Sequence, residues 1–146
     1  MLFTSRVINV CVKLGIPCTL ENPINSRLWF APPINRLGLH SSCLKQNIDQ
    51  CLFGSLWRKR TAIWSWNCGS VKELGSLCPS TGGICSASGK PHIVLSGTDP
   101  DTKKLFTAGA QEYPKLFARA IASLVLCSYH ASVDCKLHRF CGVRPS

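Results

Sequence analysis

The apolar positions of residues 6–14 fall at Val7, Val10, Cys11 and Leu14, the i, i+3, i+4, i+7 recurrence of one helix face. The pattern predicts a helix from Arg6 to Leu14, followed by Gly15 where a left-handed C-cap is needed. The period then changes, and Ile16 to Leu20 reads as a short apolar strand running into the corner Glu21-Asn22-Pro23. Pro23 stops strand pairing and pre-sets φ for a turn or a helix start. Helix, glycine and buried strand make the second half of a βαβ unit, so the strand is expected between parallel neighbours. On that reading the chain begins in mid-domain. A carboxylate at the C-terminal end of a buried strand is where open α/β sheets place their chemistry, which would aim Glu21 and Asn22 into a crevice. An ordinary turn with Asn22 capping the next helix accounts for the same letters.

Further along, Asn25 to Phe30 predicts a short helix ended by Pro32-Pro33, with Ile34 to Leu39 resuming it. Leu44 to Asp49 is polar and matches neither period. Cys51 to Trp66 predicts a β-hairpin: Leu52-Phe53, a turn at Gly54-Ser55-Leu56, then Trp57 to Trp64, rich in aromatic and β-branched residues. Alternation puts Trp57, Lys59, Thr61 and Ile63 on one face and Arg58, Arg60, Ala62 and Trp64 on the other. Val71 to Leu77 suits one or two helical turns, and Cys78 to Gly89 is a Ser/Gly/Cys loop. Ile93-Val94-Leu95 reads as a short strand and Ser96 to Asp101 as a turn. The strongest helix pattern runs from Thr107 to Leu124, with Phe106, Ala110, Tyr113, Phe117, Ile121 and Leu124 near one face and Pro114 at the first regular position. Residues 125–146 form a Cys/His/basic tail without a period, expected to be poorly ordered. There is no internal repeat.

Charge changes the picture. The 146 residues carry 17 Lys and Arg against 7 Asp and Glu, a net charge of +10, which favours a polyanionic partner such as nucleic acid. Arg58-Lys59-Arg60, between Trp57 and Trp64, is the leading candidate contact, with cations for phosphate and indoles to stack on a base. A solvated basic strand edge that discourages aggregation fits the same residues. No apolar run approaches the ~20 residues of a membrane span, so no membrane contact is expected. A secretory signal is also lacking. The expected location is therefore intracellular, nuclear or cytoplasmic, with Arg6 and Lys13 on a helical pattern leaving mitochondrial targeting as an alternative.

Ten cysteines without a secretory signal read as reduced thiols or metal ligands. Cys78, Cys85 and His92 are spaced across the Gly/Ser loop, and Cys51 or Cys68 could supply the fourth ligand that tetrahedral zinc wants. The tail repeats the residue types at Cys127, His130, Cys135, His138 and Cys141. Incidental thiols in a Cys-rich chain account for the first group more readily than a metal does, and for the tail group more readily still.

The strand closing on Glu21-Asn22-Pro23, followed by the Phe53-Gly54 turn and its basic strand, resembles the later half of a DNA cytosine-5 methyltransferase-like domain. The resemblance covers residues 6 to 66, and less closely the helix to Ala122. It implies an α/β fold: a partial Rossmann-like methyltransferase domain over residues 1–124, made of later strands, a hairpin and a closing helix. It further implies that Glu21 holds the edge of a target base with Asn22 beside it, that Gly54 is the turn glycine and that Lys59 is the first basic position. Pro23, Trp57 and Thr61 depart from the family pattern. The Gly-rich turn that receives S-adenosylmethionine has no counterpart, and Gly82-Gly83 follows no apolar strand. Pro17-Cys18 has the letters of the nucleophile loop but sits inside the strand, three residues before Glu21. The chain is therefore expected to be non-catalytic alone, to take S-adenosylmethionine only if the missing half is supplied, and to self-associate through an exposed strand edge. No small-molecule substrate is evident. The alternative reading is a small basic zinc-binding module that binds nucleic acid.

Overall fold

The computed structural model describes residues 2–69 and 74–141. Helix α1 spans Leu2–Leu14, and Gly15 closes it at φ 67°, a conformation that favours glycine. Strand β1 follows at Cys18–Pro23, the 3₁₀ turn Arg27–Phe30, helix α2 at Pro32–Leu37, strand β2 at Cys43–Asp49, the 3₁₀ turn Gln50–Phe53 and strand β3 at Arg60–Trp66. Helices α3, Phe106–Gly109, and α4, Lys115–Cys141, complete the order.

The architecture is mixed α/β around a three-stranded sheet of order β1-β3-β2. β3 runs antiparallel to both neighbours, so β1 and β2 run parallel to each other on either side of it. The expectation of parallel pairing for the first strand is corrected here. β1 is an edge strand, displaced from Ile16–Leu20, because its register is set by β3: Cys18 lies opposite Trp66 and Pro23 opposite Thr61. Pro23 is tolerated within the strand because it stands at an edge and at its end. The turn falls later, and Ser26 rather than Asn22 caps the next element, its hydroxyl accepting the Leu28 N–H.

Every residue of β3 beyond Arg60 is buried, because both edges are paired and both faces are covered. On one face Ala62, Trp64 and Trp66 pack with Ile8 of α1, Trp29, Ala31 and Ile34. On the other, Ile63 packs with Ile48, Leu74 and Phe117 of α4. This is the alternation expected over Thr61 to Trp64. Each large apolar side chain buried in this way contributes about 1.5–3 kcal/mol. The Trp66 indole donates to Leu37 O at 2.9 Å and that of Trp29 to Pro23 O at 2.9 Å, so neither ring leaves a donor stranded.

Several local expectations change. Pro32-Pro33 begins α2 rather than ending a helix, as suits proline in a first turn. The first arm of the hairpin is the polar stretch Cys43–Asp49, not Leu52-Phe53; residues 50–59 connect the arms, with Gly54 at φ 89° ending the 3₁₀ turn. Ile93 to Leu95 is not a strand, although Ile93 N–H donates to Leu56 O. The helix expected from Thr107 is interrupted between α3 and α4, and α4 continues through residue 141. Residues 71–73 of the expected turns at Val71 to Leu77 lie outside those described.

Lys115–Val133 is long and apolar enough to cross a membrane by length and composition. That differs from the expectation that no apolar run approaches the length of a membrane span. Part of it is a core helix, since Phe117, Ala120, Ile121 and Leu124 pack on the sheet.

Candidate metal centre

β2 ends by delivering Asp49, Gln50 and Cys51 in succession, and the 3₁₀ turn folds Cys51 back beneath the loop of residues 78–92. That loop holds its own shape: Cys85 N–H donates to Lys90 O at 2.8 Å, Gly89 N–H to Cys85 O at 2.9 Å and His92 N–H to Gly83 O at 3.1 Å. Cys51, Cys78, Cys85 and His92 thereby converge, with one ligand atom from each lying within 4.8 Å of all the others. The three thiols are buried, at 2 %, 1 % and 3 % exposure, and His92 is half-buried.

The donor set fits a tetrahedral ion. Zinc–thiolate bonds of about 2.3 Å imply donor separations of about 3.8 Å, and Cys78 Sγ already stands 3.9 Å from His92 Nε2. Three soft thiolates with one imidazole suit zinc above the hard, oxygen-seeking cations. Protonation within the cluster is uneven. Burial, then contact with Cys78 and Cys85, pushes the Cys51 thiol up to about 12. Hydrogen bonds from Ser88, first its backbone N–H, bring Cys85 down to about 6.

The sequence had named Cys78, Cys85 and His92 and left the fourth ligand between Cys51 and Cys68. Cys51 completes the group. Cys68 lies beyond the far end of β3, its thiol 3.8 Å from Cys18 O, and burial raises its pKa. Of the tail group, the side chains of Cys135, His138 and Cys141 lie outside those described.

The basic stretch is used internally. Arg58 Nε donates to Asp49 Oδ2 at 2.8 Å and Arg58 Nη2 to Cys78 O at 2.7 Å. Arg60 faces the other oxygen of Asp49 at 3.4 Å, an ion pair without hydrogen-bond geometry. Lys59 Nζ donates to Ala110 O at 3.1 Å and sits 5.1 Å from the centre of the Tyr113 ring. Trp57 is half-buried, its indole N–H enclosed without a hydrogen-bond partner. Sequence reasoning had no part for Asp49; its place two residues before Cys51 was the available signal.

Glu21 points toward the start of α4, where its Oε2 accepts the Tyr113 hydroxyl. Its Oε1 is buried and unpartnered. Burial, and then this hydrogen bond, raise Tyr113 to about 12. Asn22 is half-buried opposite Ala62. Beyond them a cleft of about 700 Å³ is lined by Pro23, Ile24, Lys59, Arg60 and Gln111 among others. Cys18, in β1, is pushed up to about 12, chiefly by burial and then by neighbouring Cys11; such a thiol is the reverse of an activated nucleophile.

No family model matches the chain, and no curated protein or solved structure is similar to it.

Proposed function

We propose that this chain is a small zinc-stabilised basic module that binds nucleic acid. The observation that carries the reading is the convergence of Cys51, Cys78, Cys85 and His92 within 4.8 Å. Those ligands join the end of the sheet to a loop with little regular structure, the situation in which a bound metal supplies folding energy. The charge supports the partner: net +10, with Asp49 the one carboxylate ion-paired to Lys or Arg among the described residues. Most of the positive charge is therefore open to phosphate. Reduced thiols and metal ligation fit an intracellular setting.

The test is elemental analysis of reduced protein, followed by nucleic-acid titration across salt. About one equivalent of zinc is expected, lost in a Cys85→Ser/His92→Ala double variant, and log K should fall linearly with log salt. Zinc content unchanged in the double variant, or binding indifferent to salt, would overturn the reading.

A second reading draws on the order of elements: a strand bearing Glu21 and Asn22, a β2–β3 hairpin, and α4 closing over the sheet. On it the chain is a truncated, non-catalytic methyltransferase-like half, Rossmann-like in part, with Glu21 and Asn22 facing a base. S-adenosylmethionine would bind only when a second segment supplies its turn. The outer edge of β1 would be the place where another strand, from that segment or a second copy, pairs. Saturable cofactor binding by the chain alone would count against this version.

A further inference from the structure

We propose that Asp49 and Arg58 are positioning residues for the metal centre, clamping the backbone of Cys78 so that half of the site is set before the ion arrives. The inference rests on the reading of the four donors as a metal site.

Cys78 is held at both of its backbone groups. Its N–H donates to Asp49 Oδ2 at 2.8 Å, and its carbonyl accepts Arg58 Nη2 at 2.7 Å. Arg58 Nε returns to the same Asp49 oxygen at 2.8 Å, so carboxylate, guanidinium and the Cys78 backbone from its N–H to its carbonyl close a ring. One residue pair further out, Asp49 N–H donates to Ser76 O at 3.2 Å. The end of β2 therefore grips residues 76–78 with main-chain and side-chain bonds together.

The placement of Asp49 argues that this grip is its purpose. Its side chain is wholly buried, and a buried carboxylate is costly unless it is paired and hydrogen-bonded. Asp49 has both, and one of its acceptor sites goes to a ligand residue. Cys51, two positions along, is fixed by the same strand end. Two of the four ligands thus belong to the sheet, while Cys85 and His92 ride on a loop bonded chiefly to itself. Supporting groups behind metal ligands are worth 10–100-fold in affinity in comparable sites.

The test uses the full chain with Asp49→Asn, Arg58→Gln and, as control, Arg60→Gln, whose guanidinium meets Asp49 at 3.4 Å while the backbone of Cys78 is held by Asp49 and Arg58. Zinc affinity is read by competition with a chromophoric chelator, geometry by the absorption bands of the cobalt(II)-substituted protein, and folding by circular dichroism. The expected result is about 10–100-fold weaker zinc binding in Asp49→Asn and Arg58→Gln, with shifted cobalt bands, and a change under about threefold in Arg60→Gln. Should Asp49→Asn fail to fold, Arg58→Gln decides, since that side chain is 36 % exposed. Folded Arg58→Gln binding zinc as the parent does, with unaltered cobalt bands, would overturn the clamp. Equal damage from Arg60→Gln would also overturn it, by showing that bulk charge matters rather than the bonds to Cys78. Absence of zinc binding in the parent chain would remove the metal centre itself, and the clamp with it.

Discussion

Replacing Gly38 by alanine should destabilise the fold although the backbone there is permissive. Gly38 caps α2 at φ −68° and ψ −11°, ordinary helical values that any residue adopts. The constraint is space. A Cβ at Gly38 would lie 2.2, 2.7 and 2.9 Å from three carbons of the Trp64 ring. Carbon atoms sit comfortably at ~3.5 Å or more, so the ring or the helix end must yield by roughly 1.3 Å. Trp64 has little room to yield: it is 9 % exposed, stacked on Trp29 at 4.7 Å, and held in the central strand, with Lys45 Nζ 4.1 Å from its ring centre.

Overpacking of this kind costs about 1–3 kcal/mol, and alanine in place of glycine at a compatible position returns about 0.4–1 kcal/mol. The net loss is about 1–2 kcal/mol, a fall in Tm of about 3–7 °C for a domain of this size. Urea unfolding with zinc held saturating would measure it as a lower midpoint at unchanged slope. The same substitution made beside Trp64→Leu should lose most of its cost, because the clashing atoms are gone. An equal or raised midpoint in the single variant, or an undiminished cost in the double, would refute the steric argument.

Zinc affinity should rise with pH, because the proton on Cys51, raised to about 12, must leave before the thiolate can bind, whereas Cys85, lowered to about 6, is already ionised near neutrality; proton release measured in two buffers checks this, and pH-independent binding would contradict it. The Tyr113 phenol should ionise near pH 12 by ultraviolet titration against Tyr113→Phe. Its folded value lies above the usual ~10, so its stabilisation is complete below that pH and is lost as pH rises toward 12; ionisation at the usual value would show that neither burial nor the bond to Glu21 holds the phenol.

The parts of the fold that the sequence carried openly are those with one dominant local cause. Gly15 marks the end of α1 because a left-handed residue is needed there, and the alternation of Thr61 to Trp64 shows because both faces of β3 are packed. β2 was hidden by its position. As an edge strand it exposes Lys45 and leaves Gln46 to donate to Gly75 O at 2.7 Å, so its polar letters are satisfied without any apolar period. The first strand was misplaced for the opposite reason. Ile16 looks like core yet is 40 % exposed, while the pairs from Cys18–Trp66 to Pro23–Thr61 fix the register from across the sheet. Non-local pairing, not local hydrophobicity, decided where that strand begins.

The site divides along the same line. Spacing alone brought out Cys78, Cys85 and His92, since a loop of fifteen residues keeps its own members within reach. The choice between Cys51 and Cys68 could not be made locally. One adjoins the Arg60 end of β3 and the other follows the Trp66 end, and a strand of seven residues separates its ends by roughly 20 Å. Only the β2–β3 pairing shows that Cys51 shares the loop's end of the sheet. The basic triplet carries a parallel lesson. Alternation already set Arg58 and Arg60 on one side and Lys59 on the other, but a basic run does not say whether its counter-charge is phosphate or protein. Asp49, brought opposite Arg60 by the β2–β3 register, answers for the two arginines. Arg58 is tied to the backbone of Cys78 in the candidate metal centre, and the nucleic-acid contacts proposed for this chain would fall to the cations that Asp49 does not hold.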